Sequence, residues 1–282
     1  MKLTSALTTL TALLFGAFTT QAAPDGTRPN VILIMADDMG FSDIGCYGSE
    51  IKTPVLDKLA ANGLRFTQFY NTSRCCPTRS SLLTGMYQHQ AGIGLMTGDN
   101  KLPGYRGELG RDVVTIAEAL GTGGYRRYMS GKWHIKNDPV NVFEKAIDVK
   151  PGMPNDVLEG YNRPLDKEGY AAGWKPWDIN YGGFWEGGIH WCEVLANNGI
   201  DFLTDASTNN SPFFMYLAFN APHDPRQSPQ SFVDRYPLDR IEVPVNFVPK
   251  YKYEEKMGCG PAVRDERLAP FPRNEYAVKV NR

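Results

Sequence analysis

Asn30-Val31-Ile32-Leu33-Ile34-Met35-Ala36-Asp37-Asp38-Met39-Gly40 is the stretch on which the architecture turns. Val31 to Met35 is a continuous apolar run, the mark of a strand buried on both faces of a parallel sheet. The run delivers two adjacent carboxylates, Asp37 and Asp38, to the C-terminal end of the strand, where open α/β sheets place their ligands. Neighbouring carboxylates repel each other unless a cation intervenes. A hard divalent metal is therefore the economical reading, set against the plainer one of two solvated loop acids. Downstream, Thr53-Pro54-Val55-Leu56-Asp57-Lys58-Leu59-Ala60-Ala61-Asn62-Gly63 predicts a helix capped by Thr53 and stopped by Gly63, with Leu56, Leu59 and Ala60 as its buried stripe. Leu64 to Tyr70 alternates as a strand does. Joined to the helix expected after Cys75, these pieces predict a strand-helix-strand-helix unit of right-handed crossover.

The Leu64–Tyr70 segment leads into Ser73-Arg74-Cys75-Cys76-Pro77-Thr78-Arg79-Ser80-Ser81-Leu82-Leu83-Thr84-Gly85. Proline suits the first turn of a helix and glycine the position just past its end. Cys75 is thus expected where a loop enters a helix, beside unpaired backbone N–H groups and the positive end of the dipole, a natural anion site. Arg79, four residues on, falls on the same face. A cysteine and an arginine at this spacing say little alone, because most cysteines are inert core residues.

The whole string says more. Cys75-x-Pro77-Thr78-Arg79, followed by Leu83-Thr84-Gly85, closely resembles the signature of the type I sulfatases, the arylsulfatase-like, formylglycine-dependent branch of the alkaline phosphatase superfamily. The Asn30–Asp38 opening and the Thr53–Ala60 helix resemble the N-terminus of that family, in the same order. The resemblance implies an α/β fold with a mostly parallel central sheet flanked by helices. It also implies that Cys75, not Cys76, is oxidised to formylglycine, an aldehyde whose hydrate is the nucleophile. Thr78 stands where many members carry serine and keeps the hydroxyl. Asp37, Asp38 and the hydroxyl derived from Cys75 are then implied ligands of a divalent cation, calcium with magnesium as the alternative.

Further along, Asp112 to Gly121 predicts an amphipathic helix and Tyr125 to Ser130 a strand, leading into Gly131-Lys132-Trp133-His134. Residues two apart at a strand end point the same way. The resemblance makes Lys132 a sulfate contact and His134 a hydrogen-bond partner of the formylglycine hydrate, although Ile135-Lys136 replaces the family's usual Leu-Gly. From Asn137 to Trp191 the pattern dissolves into glycine, proline and aromatics. Trp174, Trp177, Tyr181, Phe184, Trp185 and Trp191 there either wall a pocket or pack a long insertion. Glu193 to Leu203 predicts a helix and Pro212 to Phe219 a buried strand, which runs into Asn220-Ala221-Pro222-His223-Asp224-Pro225. The resemblance makes His223 the second histidine, on the sulfate and leaving-group side. Arg226 to Pro249 is expected to be extended loop, with the first turn of a helix near Tyr276 to Val280.

Composition sets the outer limits. Lys+Arg number 30 against Asp+Glu 31 in 282 residues, so no basic surplus points to nucleic acid. Met1 to Ala22 reads as a secretory signal, with Lys2, an apolar run from Ala6 to Phe18 and small residues at the cleavage positions. Residues 23–282 then form an exported catalytic domain, secreted or periplasmic, with no membrane attachment after cleavage. Conversion of Cys75 would leave Cys46, Cys76, Cys192 and Cys259, enough for two disulfides without specifying either. The implied partners are a sulfate-ester substrate and a formylglycine-generating, sulfatase-maturing enzyme. The family's later Asp-Asn or Asp-His pair has no counterpart before Arg282, so an incomplete C-terminal part is expected. Two other readings stay open: a phosphoester or phosphonate hydrolase on the same scaffold, and a truncated, inactive anion-binding relative.

Overall fold

The computed structural model describes residues 28–152, 189–223, 228–247 and 252–253. The expected leader over Met1–Ala22, five of the six clustered aromatics (Trp174, Trp177, Tyr181, Phe184 and Trp185), Cys259 and the expected helical turn near Tyr276 to Val280 lie outside them.

Four strands form one parallel sheet: β1 (Val31–Asp37), β2 (Arg126–Lys132), β3 (Lys145–Lys150) and β4 (Phe213–Pro222), in the order β1-β4-β2-β3. Because all strands run the same way, Asp37, Lys132 and Pro222 finish on one edge. Alternation along β4 divides the interior. Phe214, Tyr216 and Ala218 join one core with Cys76, Leu83, Ala117 and Met129, on the side of α2 (Cys75–Thr84) and α4 (Ile116–Thr122). Phe213, Met215 and Leu217 face the other way, against Phe202 and Ala206 of α5 (Trp191–Ser207). The result is the helix–sheet–helix layering expected from the sequence, with α1 (Pro54–Asn62) and the short α3 (Gln88–Ala91) completing the first half of the chain. No helix among the described residues is long and apolar enough to cross a membrane.

Gly131 explains how β2 and β4 come so close. Its φ is +102°, and a Cβ there would lie 2.1 Å from the Ala218 carbonyl oxygen. Glycine alone tolerates both the backbone conformation and the contact.

Several expectations need correction. β1 forms, but as an edge strand, with Ile32 46% and Ile34 61% exposed, so it is not buried on both faces among the described residues. α1 forms over the expected span yet buries none of its stripe, and Leu59 is 68% exposed. Its Thr53 hydroxyl accepts from the Gly45 N–H, and its Asp57 accepts from the Cys46 N–H, which ties the helix to the loop after β1 and not to a core. Leu64 to Tyr70 makes no strand, since no described strand lies beside it, and its apolar side chains are exposed. The helix expected from Asp112 begins later, at Ile116, because Thr115 and Glu118 form a reciprocal capping box. β3 was hidden in the glycine-rich region. Trp191 is 2% exposed at the start of α5, where it packs with Leu195 and donates its indole N–H to Asn220 Oδ1. Between Arg226 and Pro249, a helical turn, α6 (Gln230–Val233), and a 3-10 turn (Leu238–Arg240) interrupt the expected loop. The four described cysteines are free.

Candidate active site

Asp37 sits at the end of β1, 3% exposed, between two buried cations. Arg79 Nη2 donates to its Oδ1 at 3.2 Å, and Lys132 Nζ donates to its Oδ2. Arg79 is fully buried and Lys132 is 1% exposed. Arg79 Nη1 also donates to the Lys132 carbonyl at 2.5 Å and to the Tyr216 hydroxyl at 3.0 Å. One guanidinium thereby binds the ends of β1 and β2 to the middle of β4, which its planar fork of donors allows. Burial works against its charge, but Tyr216 and Asp37 outweigh that effect and hold its pKa above the ordinary value. Burial raises the Tyr216 phenol, so the hydroxyl stays neutral and donates onward to Met35 Sδ at 3.3 Å.

The expected metal pair does not stay side by side. Asp37 is the last sheet residue, whereas Asp38 turns left-handed with φ +65° and leaves its side chain 54% exposed. His223, just beyond β4, brings Nε2 to 3.5 Å from Asp38 Oδ2. Arg79 and Lys132 therefore already offset the charge of Asp37. The donor chemistry still suits a hard divalent ion, since each carboxylate keeps lone pairs beyond those in use.

Cys75 is the first residue of α2, as its place before Pro77 requires, and is half-buried. Its thiol is pulled well below the ordinary value, first by a hydrogen bond from the Cys76 thiol and then by His134 and Lys132, against the opposing effect of burial. Cys76, wholly buried, is pushed up by that same bond and by desolvation. The contact between them favours the thiolate on Cys75 over one on Cys76. His134 arrives by a route the sequence did not reveal. Lys132 ends β2, and a left-handed residue (φ +51°) swings the ring to Cys75 in place of simple strand alternation. His134 Nδ1 is buried with no hydrogen-bond partner among the described residues. Ligand atoms of Cys75, Cys76 and His134 all lie within 4.8 Å of one another.

The structure therefore gathers Asp37, Arg79, Lys132, Cys75 and His134, and sets the Asp38–His223 pair at the same sheet edge. Sequence reasoning missed Tyr216 and the role of Cys76. A polar-tipped aromatic inside a strand otherwise built to be buried was the available signal for Tyr216, because a buried phenol must find a partner.

Comparison with known proteins identifies the family. Residues 29–244 match the family model for sulfatases. Arylsulfatase A of Homo sapiens is 35% identical over 233 residues, covering 73% of this chain and 44% of its own length. The arylsulfatase of Klebsiella aerogenes is 34% identical over 225 residues, covering 74% of this chain and 46% of its own. The crystal structure of Ps i-CgsB superposes with a TM-score of 0.58 at 29% identity, over 77% of this chain and 50% of that one. The chain spans about half the length of the curated relatives it matches. The matched span starts before β1, ends beyond β4 and takes in every site residue just described, and on that ground the chain belongs to the sulfatase family.

Proposed function

We propose that this chain carries the sulfuryl-transfer centre of an exported sulfatase, secreted or periplasmic, that hydrolyses sulfate esters of aryl or carbohydrate alcohols. One observation carries the reading: buried Lys132, buried Arg79 and His134 gather around Cys75 at the start of a helix. Cys75 Sγ marks the place of the formylglycine hydrate oxygens. Once a sulfatase-maturing enzyme has oxidised Cys75, the hydrated aldehyde supplies one hydroxyl to take the sulfuryl group and a second whose collapse to the carbonyl expels sulfate.

The remaining side chains have separable tasks. His134, with a ring nitrogen within reach of position 75, accepts the proton of the attacking hydroxyl. Lys132 is held at the sheet edge by Asp37 and offsets negative charge gathering on the sulfate oxygens. Arg79 adds to the same positive field and fixes Asp37 and the Lys132 backbone in place. His223, oriented by Asp38, faces the leaving oxygen. Asp37 and Asp38 are the residues that would hold a divalent cation, Ca2+ with Mg2+ as the alternative. Such an ion supplies Lewis-acid stabilisation of charge on the sulfate group.

The test is paired substitution in protein co-produced with a maturing enzyme. Hydrolysis of aryl sulfates and sulfated sugars is expected to vanish in Cys75→Ala and to persist in Cys76→Ala, with the Cys75 peptide carrying a carbonyl in place of its thiol. Equal losses in the two variants, or faster turnover of matched phosphate esters, would overturn the reading.

A further inference from the structure

Cys76 takes no part in the chemistry just described, yet it is fully buried with its thiol against Cys75. Beside the pair lies His134, one ring nitrogen of which comes within 4.8 Å of both sulfurs. We propose that, in the form with cysteine at position 75, Cys75, Cys76 and His134 bind one thiophilic d10 cation of the Zn2+ class, with an open position toward the sheet edge. This proposal concerns the unconverted chain and does not depend on sulfatase activity.

The donor set argues for it first. Two thiolates and an imidazole are soft and borderline ligands, which select Zn2+ or Cu+ over Ca2+ or Mg2+. Three protein ligands with a vacant fourth position is the pattern of open zinc sites. Geometry agrees. A tetrahedral zinc ion with Zn–S near 2.3 Å sets its ligand atoms about 3.5–3.8 Å apart, and the three here already lie within 4.8 Å of one another. Small side-chain rotations close the difference. Two of the ligands are anchored on the first turn of α2, and the third lies just past the end of β2, so the site draws on elements the core already fixes.

The two nearby cations are the main objection, and Asp37 answers much of it. Both Arg79 and Lys132 are paired to its carboxylate. Coordination releases the Cys76 thiol proton to solvent, so the ion's two positive charges meet two thiolates and only one net charge is added to the pocket. Asp37 and Asp38 are hard donors, and they remain a separate pair at the end of β1.

The experiment uses the full chain made without a maturing enzyme, with the free Cys75 thiol verified by peptide mass. Zn2+ is titrated against a chromophoric competitor, and Co2+ is used as a spectroscopic probe of the ligands. The expected result is one equivalent of Zn2+ per chain and a Co2+ complex with intense thiolate charge-transfer bands. Cys75→Ser and Cys76→Ser, which keep volume, are each expected to weaken binding at least ~100-fold, and His134→Ala about 10- to 100-fold, while Cys46→Ser and Cys192→Ser bind as the parent does. Formylglycine at position 75 abolishes the site. Parent-like binding in Cys75→Ser or Cys76→Ser, or a Co2+ spectrum of the parent without thiolate bands, would overturn the proposal.

Discussion

Asp37→Asn is the most informative single change, because it alters charge at the point where three strands are tied together. The substitution preserves shape and leaves an amide oxygen facing Arg79, but it strands a guanidinium that is fully buried and an ammonium that is 1% exposed. Screening by solvent does not soften this, since the Asp37 side chain itself is only 4% exposed. Breaking a buried ion pair by removing one partner costs about 3–5 kcal/mol, and here one carboxylate serves two cations, so the upper half of that range is expected. At about 2–4 °C per kcal/mol for a chain of this size, Tm should fall by about 8–20 °C. Urea denaturation at neutral pH, followed by far-UV circular dichroism, reads the loss directly. Two controls sharpen it. Asp38→Asn, whose side chain is 54% exposed, should cost no more than about 1 kcal/mol. Asp37→Asn combined with Lys132→Met removes the stranded ammonium as well and should recover part of the loss. If Asp37→Asn costs no more than Asp38→Asn, then Asp37 is not the counter-ion that holds this edge together.

The same contacts set further outcomes. Tyr216→Phe deletes an acceptor for buried Arg79 and should cost about 1–3 kcal/mol by denaturant titration. Gly131→Ala must push a methyl group into the Ala218 carbonyl from a left-handed backbone, and a loss under about 2 kcal/mol would contradict the close approach of β2 and β4. The thiol pair gives a pH signature in the unconverted chain. Cys75 is lowered on folding, so its contribution is present above the unfolded thiol value of about 8.5 and fades as pH falls. Cys76 is raised, so its contribution is present below that value and fades as pH climbs. Urea midpoints should therefore show a maximum near pH ~8.5 that Cys75→Ser removes. Iodoacetamide should modify Cys75 below pH 7 well before Cys192, whose thiol burial pushes up to about 11.

Much of the site was legible because its residues sit at punctuation points. Asp37 ends an apolar run, Cys75 precedes a helix-starting proline, Lys132 closes a strand, and His223 comes after a proline beyond another. What could not be read were the partners. Alternation suggested that Lys132 and His134 act together because they share a strand face, yet the backbone turns left-handed at His134, and nothing in a histidine's neighbours announces that. Two adjacent aspartates suggested one shared cation, and the sequence offered no sign of the side chains that meet them, Arg79 and Lys132 at Asp37 and His223 at Asp38. The apolar stripe of α1 marked a real helix, whereas the alternation from Leu64 to Tyr70 marked no strand. Their burial did not materialise, because a stripe records what a surface can cover and not whether a neighbour is present to meet it.

Among the described residues, the two rims of the sheet differ in a way that matters at the bench. β3 closes one side with Lys145, Asp148 and Lys150, charges that discourage a foreign strand from docking. β1 closes the other with valine, isoleucine and leucine and carries no charge until Asp37. A rim of that kind is a template for strand addition, so concentrated samples of this chain should grow by stacking at β1. Ile34→Lys should suppress the light scattering that results, while a second lysine on β3 should change little.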